Sequence, residues 1–123
     1  MAFLYQIKPD GLPGEHWAIG DSPVVVGREE PSDALVDDEA LSRAHFLVVR
    51  VGQEYFLVDL NSSNGSWVKG GRVAAHRLRP GEIIHAGESA FCFGLTVPAA
   101  DAPPIALHLL KKPAGSAEPR AAS

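Results

Sequence analysis

The chain has 123 residues, room for one domain whose core needs no metal or disulfide to hold it. Its 11 Lys and Arg against 15 Asp and Glu leave a formal net charge of −4, so no global positive field draws it onto nucleic acid or an anionic membrane. Cys92 is the single cysteine, which excludes an internal disulfide and a Cys/His metal framework and suits a reducing compartment.

The N-terminal stretch from Met1 to Lys8 is too short in apolar length for a signal peptide, and no apolar run is long enough to span a bilayer. The expected location is the cytoplasm. Turn residues then punctuate the chain at Pro9-Asp10-Gly11, Gly20 to Pro23, Gly52-Gln53, Asn61 to Gly65, Gly70-Gly71, Pro80-Gly81 and Gly87-Glu88. Between them lie short runs: Phe3 to Ile7, His16 to Ile19, Val24 to Val26, Ala34 to Val36, His45 to Val51, Tyr55 to Leu60, Trp67 to Val68, Arg72 to Val73, Glu82 to His85 and Ala90 to Thr96. Most are rich in β-branched or aromatic residues, and none before Pro98 keeps a helical period, so the spacing predicts an all-β fold.

Alternation sets the faces. Phe46, Val48 and Arg50 oppose Leu47, Val49 and Val51, while Phe56 and Val58 oppose Tyr55, Leu57 and Asp59. Gly52-Gln53 reads as one tight hairpin and Lys69-Gly70-Gly71-Arg72 as another, because a two-residue hairpin turn demands positive φ and Gly-Gly tolerates it. About ten short antiparallel strands imply two packed sheets, whose loops gather at the ends and carry function.

From Pro98 the composition turns to Pro, Ala, Ser and isolated charges. The expected organisation is a domain over residues 1–97 and a flexible tail over 98–123. Within that tail the apolar segment 105–110, Ile105 to Leu110, could add a strand to a sheet edge, dock on a partner, or be no more than a short sticky stretch.

Three loop motifs hold the chemistry. Val24-Val25-Val26-Gly27-Arg28 is an apolar strand leaving through a glycine that frees the backbone to turn, into an arginine that alone would be an ordinary solvated charge. Ser42-Arg43-Ala44-His45 enters the next apolar strand; it offers a hydroxyl and a guanidinium, although Ser42 could equally serve its own turn. His45 reads as a buttress holding loop backbone through both ring nitrogens, since no nucleophile is paired with it in a recognisable motif. In Asp59-Leu60-Asn61-Ser62-Ser63-Asn64-Gly65-Ser66, turn chemistry explains Asn64-Gly65 but not the density of hydroxyls around an amide. Such a loop can satisfy an extended peptide through Asn64 while its hydroxyls and backbone N–H groups face an anion. Together the motifs describe an oxyanion-binding surface, where charge-assisted hydrogen bonds are the strong ones.

The order of Gly27-Arg28, the acidic linker through Asp33 and Asp37-Asp38, Leu41-Ser42-Arg43-Ala44-His45, Asp59 to Ser66, Leu78-Arg79-Pro80-Gly81-Glu82 and a closing Phe-rich strand resembles the forkhead-associated, or FHA, domain over roughly residues 3–97. The resemblance implies a two-sheet antiparallel β-sandwich of about eleven strands that recognises phosphothreonine in extended peptides through loops at one end. Carried over by position, Arg28 holds the phosphate, Ser42 donates its hydroxyl and Arg43 adds donors beside it. Asn64 bonds the peptide main chain and Ser63 lines the adjacent pocket. Gly27, His45 and Gly65 resemble the scaffold that supports the site. Ser63 and Ser66 stand where threonine is frequent; each keeps the hydroxyl and lacks the methyl.

A phosphate of about −1.5 to −2 charges suits two arginines and several hydroxyls even on an acidic protein. Asp37, Asp38 and Glu39 share a loop with Ser42 and favour ligands with neutral or basic flanks. The function expected is a phosphothreonine-binding adaptor of a Ser/Thr kinase pathway or regulated assembly, with a phosphorylated protein and a Ser/Thr kinase as partners. Neither nucleic acid, membrane, cofactor nor metal is expected. An enzyme using His45 or Ser63 is disfavoured by the lack of a nucleophile elbow, P-loop or metal-ligand cluster in the sequence. The rival is a phosphorylation-independent interaction module that uses a sheet face or the tail.

Overall fold

Eleven strands organise residues 2–97, the part of the chain that the computed structural model describes. In chain order they are β1 (Ala2–Ile7), β2 (Pro13–Ile19), β3 (Val24–Gly27), β4 (Ala34–Leu35), β5 (Phe46–Val51), β6 (Glu54–Asp59), β7 (Ser66–Val68), β8 (Gly71–Val73), β9 (Ala75–Arg77), β10 (Ile83–Ala86) and β11 (Ser89–Gly94). One sheet has the order β2-β1-β11-β10-β7-β8 and the other β4-β3-β5-β6-β9. The two face each other as a sandwich. No helix long and apolar enough to cross a membrane is present among the described residues.

Of the opposed faces read in the sequence, one set on each strand makes the core. Phe46 and Val48 of β5, Leu57 of β6 and Val26 of β3 point inward from one sheet; Leu4, Ile19, Ile84, Phe91 and Phe93 meet them from the other. Phe46 and Phe91 pack edge to face across the sandwich, their ring centroids 5.6 Å apart. Burying each such side chain contributes about 1.5–3 kcal/mol, and this layer fixes the ends of β3, β5, β6 and β7 from which the loops of interest spring.

Three departures from the sequence expectation have physical reasons. β9 falls outside the predicted runs because its residues are mostly exposed and carry no apolar signal; it is an edge strand that pairs Ala75 with Val58 and Arg77 with Phe56. β3 and β4 pair in parallel, Val26 with Ala34 and Gly27 with Leu35, in an otherwise antiparallel fold. That rung forms because Asp33 is tied back to β3: its backbone N–H donates to the Val25 carbonyl and its Oδ2 accepts from the Val25 N–H, both at 2.9 Å. The β7–β8 turn is made by Lys69 (φ 53°) and Gly70 (φ 80°), one residue earlier than the Gly-Gly pair suggests, since Val68 pairs with Gly71. Gly52-Gln53 does join β5 and β6, which pair Val51 with Glu54. The tail and its apolar segment 105–110 lie outside the described residues.

Candidate functional site

At one end of the sandwich the chain leaving β3, the loop before β5 and the loop between β6 and β7 are stitched together by backbone bonds. The Arg28 and Glu29 N–H groups donate to the Ser42 and Arg43 carbonyls at 3.2 and 3.3 Å. Gly27 is required here for space and not for an unusual φ: a Cβ on it would lie 2.0 Å from the Arg43 carbonyl oxygen and 2.5 Å from Ser32 Oγ. The sequence expectation that Gly27 frees the backbone to turn is therefore corrected, for its task is close approach of two chains.

His45 ties the second loop to the third. Fully buried, it accepts the Ser42 N–H at Nδ1 (3.0 Å) and pairs Nε2 with the Gly65 carbonyl at 2.8 Å. Acceptance at Nδ1 assigns the proton to Nε2, so the ring is neutral and serves both loops at once. Burial lowers its pKa, a shift that the Gly65 bond and the charges of Asp59 and Asp38 only partly oppose.

The β6–β7 loop crosses from one sheet to the other and is organised by Asp59. Its carboxylate accepts from the Ser62 N–H at 2.9 Å, the Ser62 hydroxyl at 2.6 Å and the Ser66 hydroxyl at 2.7 Å. Ser62 Oγ in turn accepts the Gly65 N–H at 3.0 Å, and Gly65 takes φ 86°. Ser62 and Ser66 are buried, so these two hydroxyls hold the loop from inside, and the expectation that they face an anion is corrected. The Arg72 guanidinium packs where a Gly65 Cβ would sit, 2.5 Å from that position, and reaches the Ser62 carbonyl at 3.4 Å. Asp59 opens the loop motif but is assigned no role from the sequence, where a carboxylate three residues before a serine is the available signal; Arg72 comes from β8, and only the fold brings it under the loop.

What this framework presents outward is compact. Arg28 donates from Nε to the Leu41 carbonyl at 3.0 Å and from Nη1 to Glu29 Oε2 at 3.1 Å. Arg43 Nε lies 3.6 Å from the other oxygen of the same Glu29 carboxylate. Ser42 Oγ accepts the Ser63 N–H at 3.0 Å, which leaves its O–H to donate elsewhere. Asn64 donates from Nδ2 to the Ala40 carbonyl at 2.8 Å, and Trp67 Nε1 donates to the Asn64 carbonyl at 3.0 Å. Arg28, Ser42, Arg43, Ser63 and Asn64 thus join through short contacts into one surface, with Gly27, His45 and Gly65 beneath it. Glu29, which the sequence reading passed over, joins its two arginines.

Asp38, grouped with Asp37 and Glu39 as a repelling charge, has a structural task. Oδ1 accepts the Ala40 N–H at 2.9 Å, while Oδ2 accepts the Glu88 N–H at 2.8 Å and the Ser89 hydroxyl at 2.7 Å, pinning the β10–β11 turn to the loop. Asp37 and Glu39 remain exposed. The surface supplies cations, a hydroxyl and an amide, a donor set for an oxyanion on an extended chain; among the described residues no group of three or more His, Cys, Asp or Glu side chains could hold a metal ion.

The family model of the FHA domain matches residues 24–87, from the start of β3 through the β10–β11 turn. The chain belongs to the FHA domain family. Among curated relatives of this FHA domain, it is 30% identical over 83 residues to the FHA domain-containing protein FhaA of Mycobacterium tuberculosis, covering 68% of this chain and 16% of FhaA. It therefore spans about a sixth of that protein's length. Mycobacterium tuberculosis EmbR, solved in complex with a low affinity phosphopeptide, superposes with a TM-score of 0.70 at 28% identity, covering 80% of this chain and 25% of that one. A solved structure concerned with phosphothreonine-dependent FHA domain interactions gives 0.69 at 26% identity, covering 79% of this chain and 98% of the other. FHA domains are protein-interaction modules.

Proposed function

We propose that this FHA domain reads phosphothreonine in extended segments of partner proteins and acts as an adaptor in a Ser/Thr kinase pathway or a regulated assembly, without catalysis. The observation that carries the reading is that Arg28 and Arg43 meet at one carboxylate, Glu29, while His45 ties the Ser42 loop to the Asn64-Gly65 turn and Ser42 Oγ accepts the Ser63 N–H at 3.0 Å. The phosphate fits between the two guanidinium groups and the Ser42 hydroxyl; Asn64 bonds the peptide main chain, and Ser63 borders the threonine methyl. The reader is the unit over residues 1–97, to which residues 98–123 are appended. Exposed Asp37 and Glu39 beside the site favour peptides with neutral or basic flanks.

The relatives support this reading through what they bind: EmbR has been solved with a phosphopeptide, and another FHA domain has been studied for phosphothreonine-dependent interactions. The test is a titration of a degenerate phosphothreonine peptide library into isotope-labelled protein, beside the unphosphorylated library and the Arg28→Ala variant. Phosphate-dependent amide shifts at Arg28, Ser42 and Asn64, lost in the variant, are the expected result. Equal shifts with and without phosphate would shift the function to a phosphorylation-independent docking module.

A further inference from the structure

Glu29 places a carboxylate where the proposed phosphate has to go. Its Oε2 lies 3.1 Å from Arg28 Nη1 and its Oε1 3.6 Å from Arg43 Nε, so one anion bridges both guanidinium groups. The backbone enforces this position: the Glu29 N–H donates to the Arg43 carbonyl and the Arg28 N–H to the Ser42 carbonyl, which holds Glu29 opposite Arg43. Arg28 does not need Glu29 to be oriented, because its Nε already donates to the Leu41 carbonyl at 3.0 Å.

We propose that Glu29 is a built-in competitor that sets the charge threshold of this site: a ligand binds only if it displaces the Glu29 carboxylate from Arg28 and Arg43. The inference rests on the phosphothreonine reading and adds to it. A phosphate ester of about −1.5 to −2 charges with three acceptor oxygens outcompetes a single carboxylate. An Asp or Glu at the same peptide position brings only what Glu29 already supplies, so the site rejects acidic look-alikes. The gate is shallow. Glu29 is half exposed and Arg43 nearly free in solvent, at side-chain exposures of 48% and 79%, and pairs in water are worth little each.

The test compares wild type, Glu29→Gln and Glu30→Gln by calorimetric titration with the phosphothreonine peptide that wild type retains best from an array of individual sequences, and with its Thr→Glu counterpart. Glu30→Gln removes the same charge from the adjacent, exposed residue and controls for net charge. Glu29→Gln is expected to bind the phosphopeptide about three- to tenfold tighter than either other protein and to gain measurable binding of the glutamate peptide. Equal affinities for all three proteins, or equal gains in both variants, would overturn the competitor while leaving the phosphothreonine reading intact. Weaker binding by Glu29→Gln would make Glu29 an organiser of the arginines and likewise overturn it. If no protein binds the phosphopeptide, both the competitor and the reading fall.

Discussion

Asn64 and Ala40, 24 positions apart in sequence, are joined by a 2.8 Å bond from the Asn64 amide nitrogen to the Ala40 carbonyl, which locks the β6–β7 loop against the loop entering β5. The amide proposed to hold a peptide main chain is thereby oriented in advance, and ordering it in the complex costs less.

Asn64→Asp keeps the size but replaces the donor with a carboxylate oxygen facing the Ala40 carbonyl. The bond is exposed, so folding should suffer by no more than about 1 kcal/mol. Phosphopeptide affinity should fall about tenfold or more, from a lost main-chain bond and added negative charge near the phosphate. Parallel denaturant melts and peptide titrations would separate the two; a large stability loss would show that Asn64 serves the scaffold.

His45→Phe fills the same space but leaves the Ser42 N–H and Gly65 carbonyl without partners, at a cost of about 2–4 kcal/mol. The wild-type protein carries a pH signature as well. Burial lowers the folded pKa of His45 below its ordinary value near 6.5, so between the two values the unfolded chain holds more protons. Stability from this group is complete above pH 6.5 and drains away as pH falls through the folded value, by at most about 1.4 kcal/mol per unit. Urea melts from pH 8 to 5 should show that decline in wild type and a flatter line in the variant.

Gly27→Ala tests close approach. A Cβ lying 2.0 Å from the Arg43 carbonyl oxygen cannot be relieved by turning a side chain, because the obstruction is backbone. The loss should be about 2 kcal/mol or more, and the 41–43 loop should shift, taking phosphopeptide affinity with it. A variant as stable as wild type, with unchanged amide shifts at Ser42 and Arg43, would contradict the geometry.

Glu82 ties the turn before β10 to its surroundings. Oε1 accepts the Arg79 N–H at 2.8 Å and meets His76 Nε2 at 3.0 Å, while Oε2 pairs with Lys69 Nζ at 3.3 Å. Burial pushes its pKa up, yet the bonds from Arg79, His76 and Lys69 outweigh that and hold it below the usual carboxylate value. A depressed folded pKa means stability present above about pH 4.5 and lost as pH falls through the folded value. Glu82→Gln should cost about 1–3 kcal/mol at neutral pH and flatten the acid limb of the stability curve below pH 4.5.

The sequence shows plainly whatever depends on local chemistry. Gly52-Gln53, the opposed side-chain sets of β5 and β6, and the three loop motifs could all be read from turn residues and alternation; which set faces the core could not, because both faces of β5 are largely apolar. The rest depends on neighbours distant in sequence. β9 has an exposed pattern and gains strand form only by pairing with β6; the parallel rung of β4 follows from Asp33 reaching back to Val25. Ser62 and Ser66 look like their exposed neighbour Ser63; Asp59, which takes two of the three hydroxyls inward, is close in sequence, but which two it takes is set by the path of the folded loop. Glu29 reads as one of two adjacent glutamates until Arg43 is brought opposite it.

Arg28→Lys separates charge from geometry at the proposed phosphate contact. Arg28 divides its guanidinium, with Nε fixed to the Leu41 carbonyl at 3.0 Å and Nη1 donating to the Glu29 carboxylate at 3.1 Å, the position proposed for the phosphate. A lysine ammonium is a point charge on a flexible stem, able to reach the Leu41 carbonyl or the phosphate but lacking the planar fork that serves both. Affinity for a phosphothreonine peptide should therefore drop about tenfold to a hundredfold in Arg28→Lys although net charge is unchanged, and Arg28→Ala should lose more. Full binding by the lysine variant would mean that Arg28 acts only through its charge, and the tie to Leu41 would then serve the loop and not the ligand.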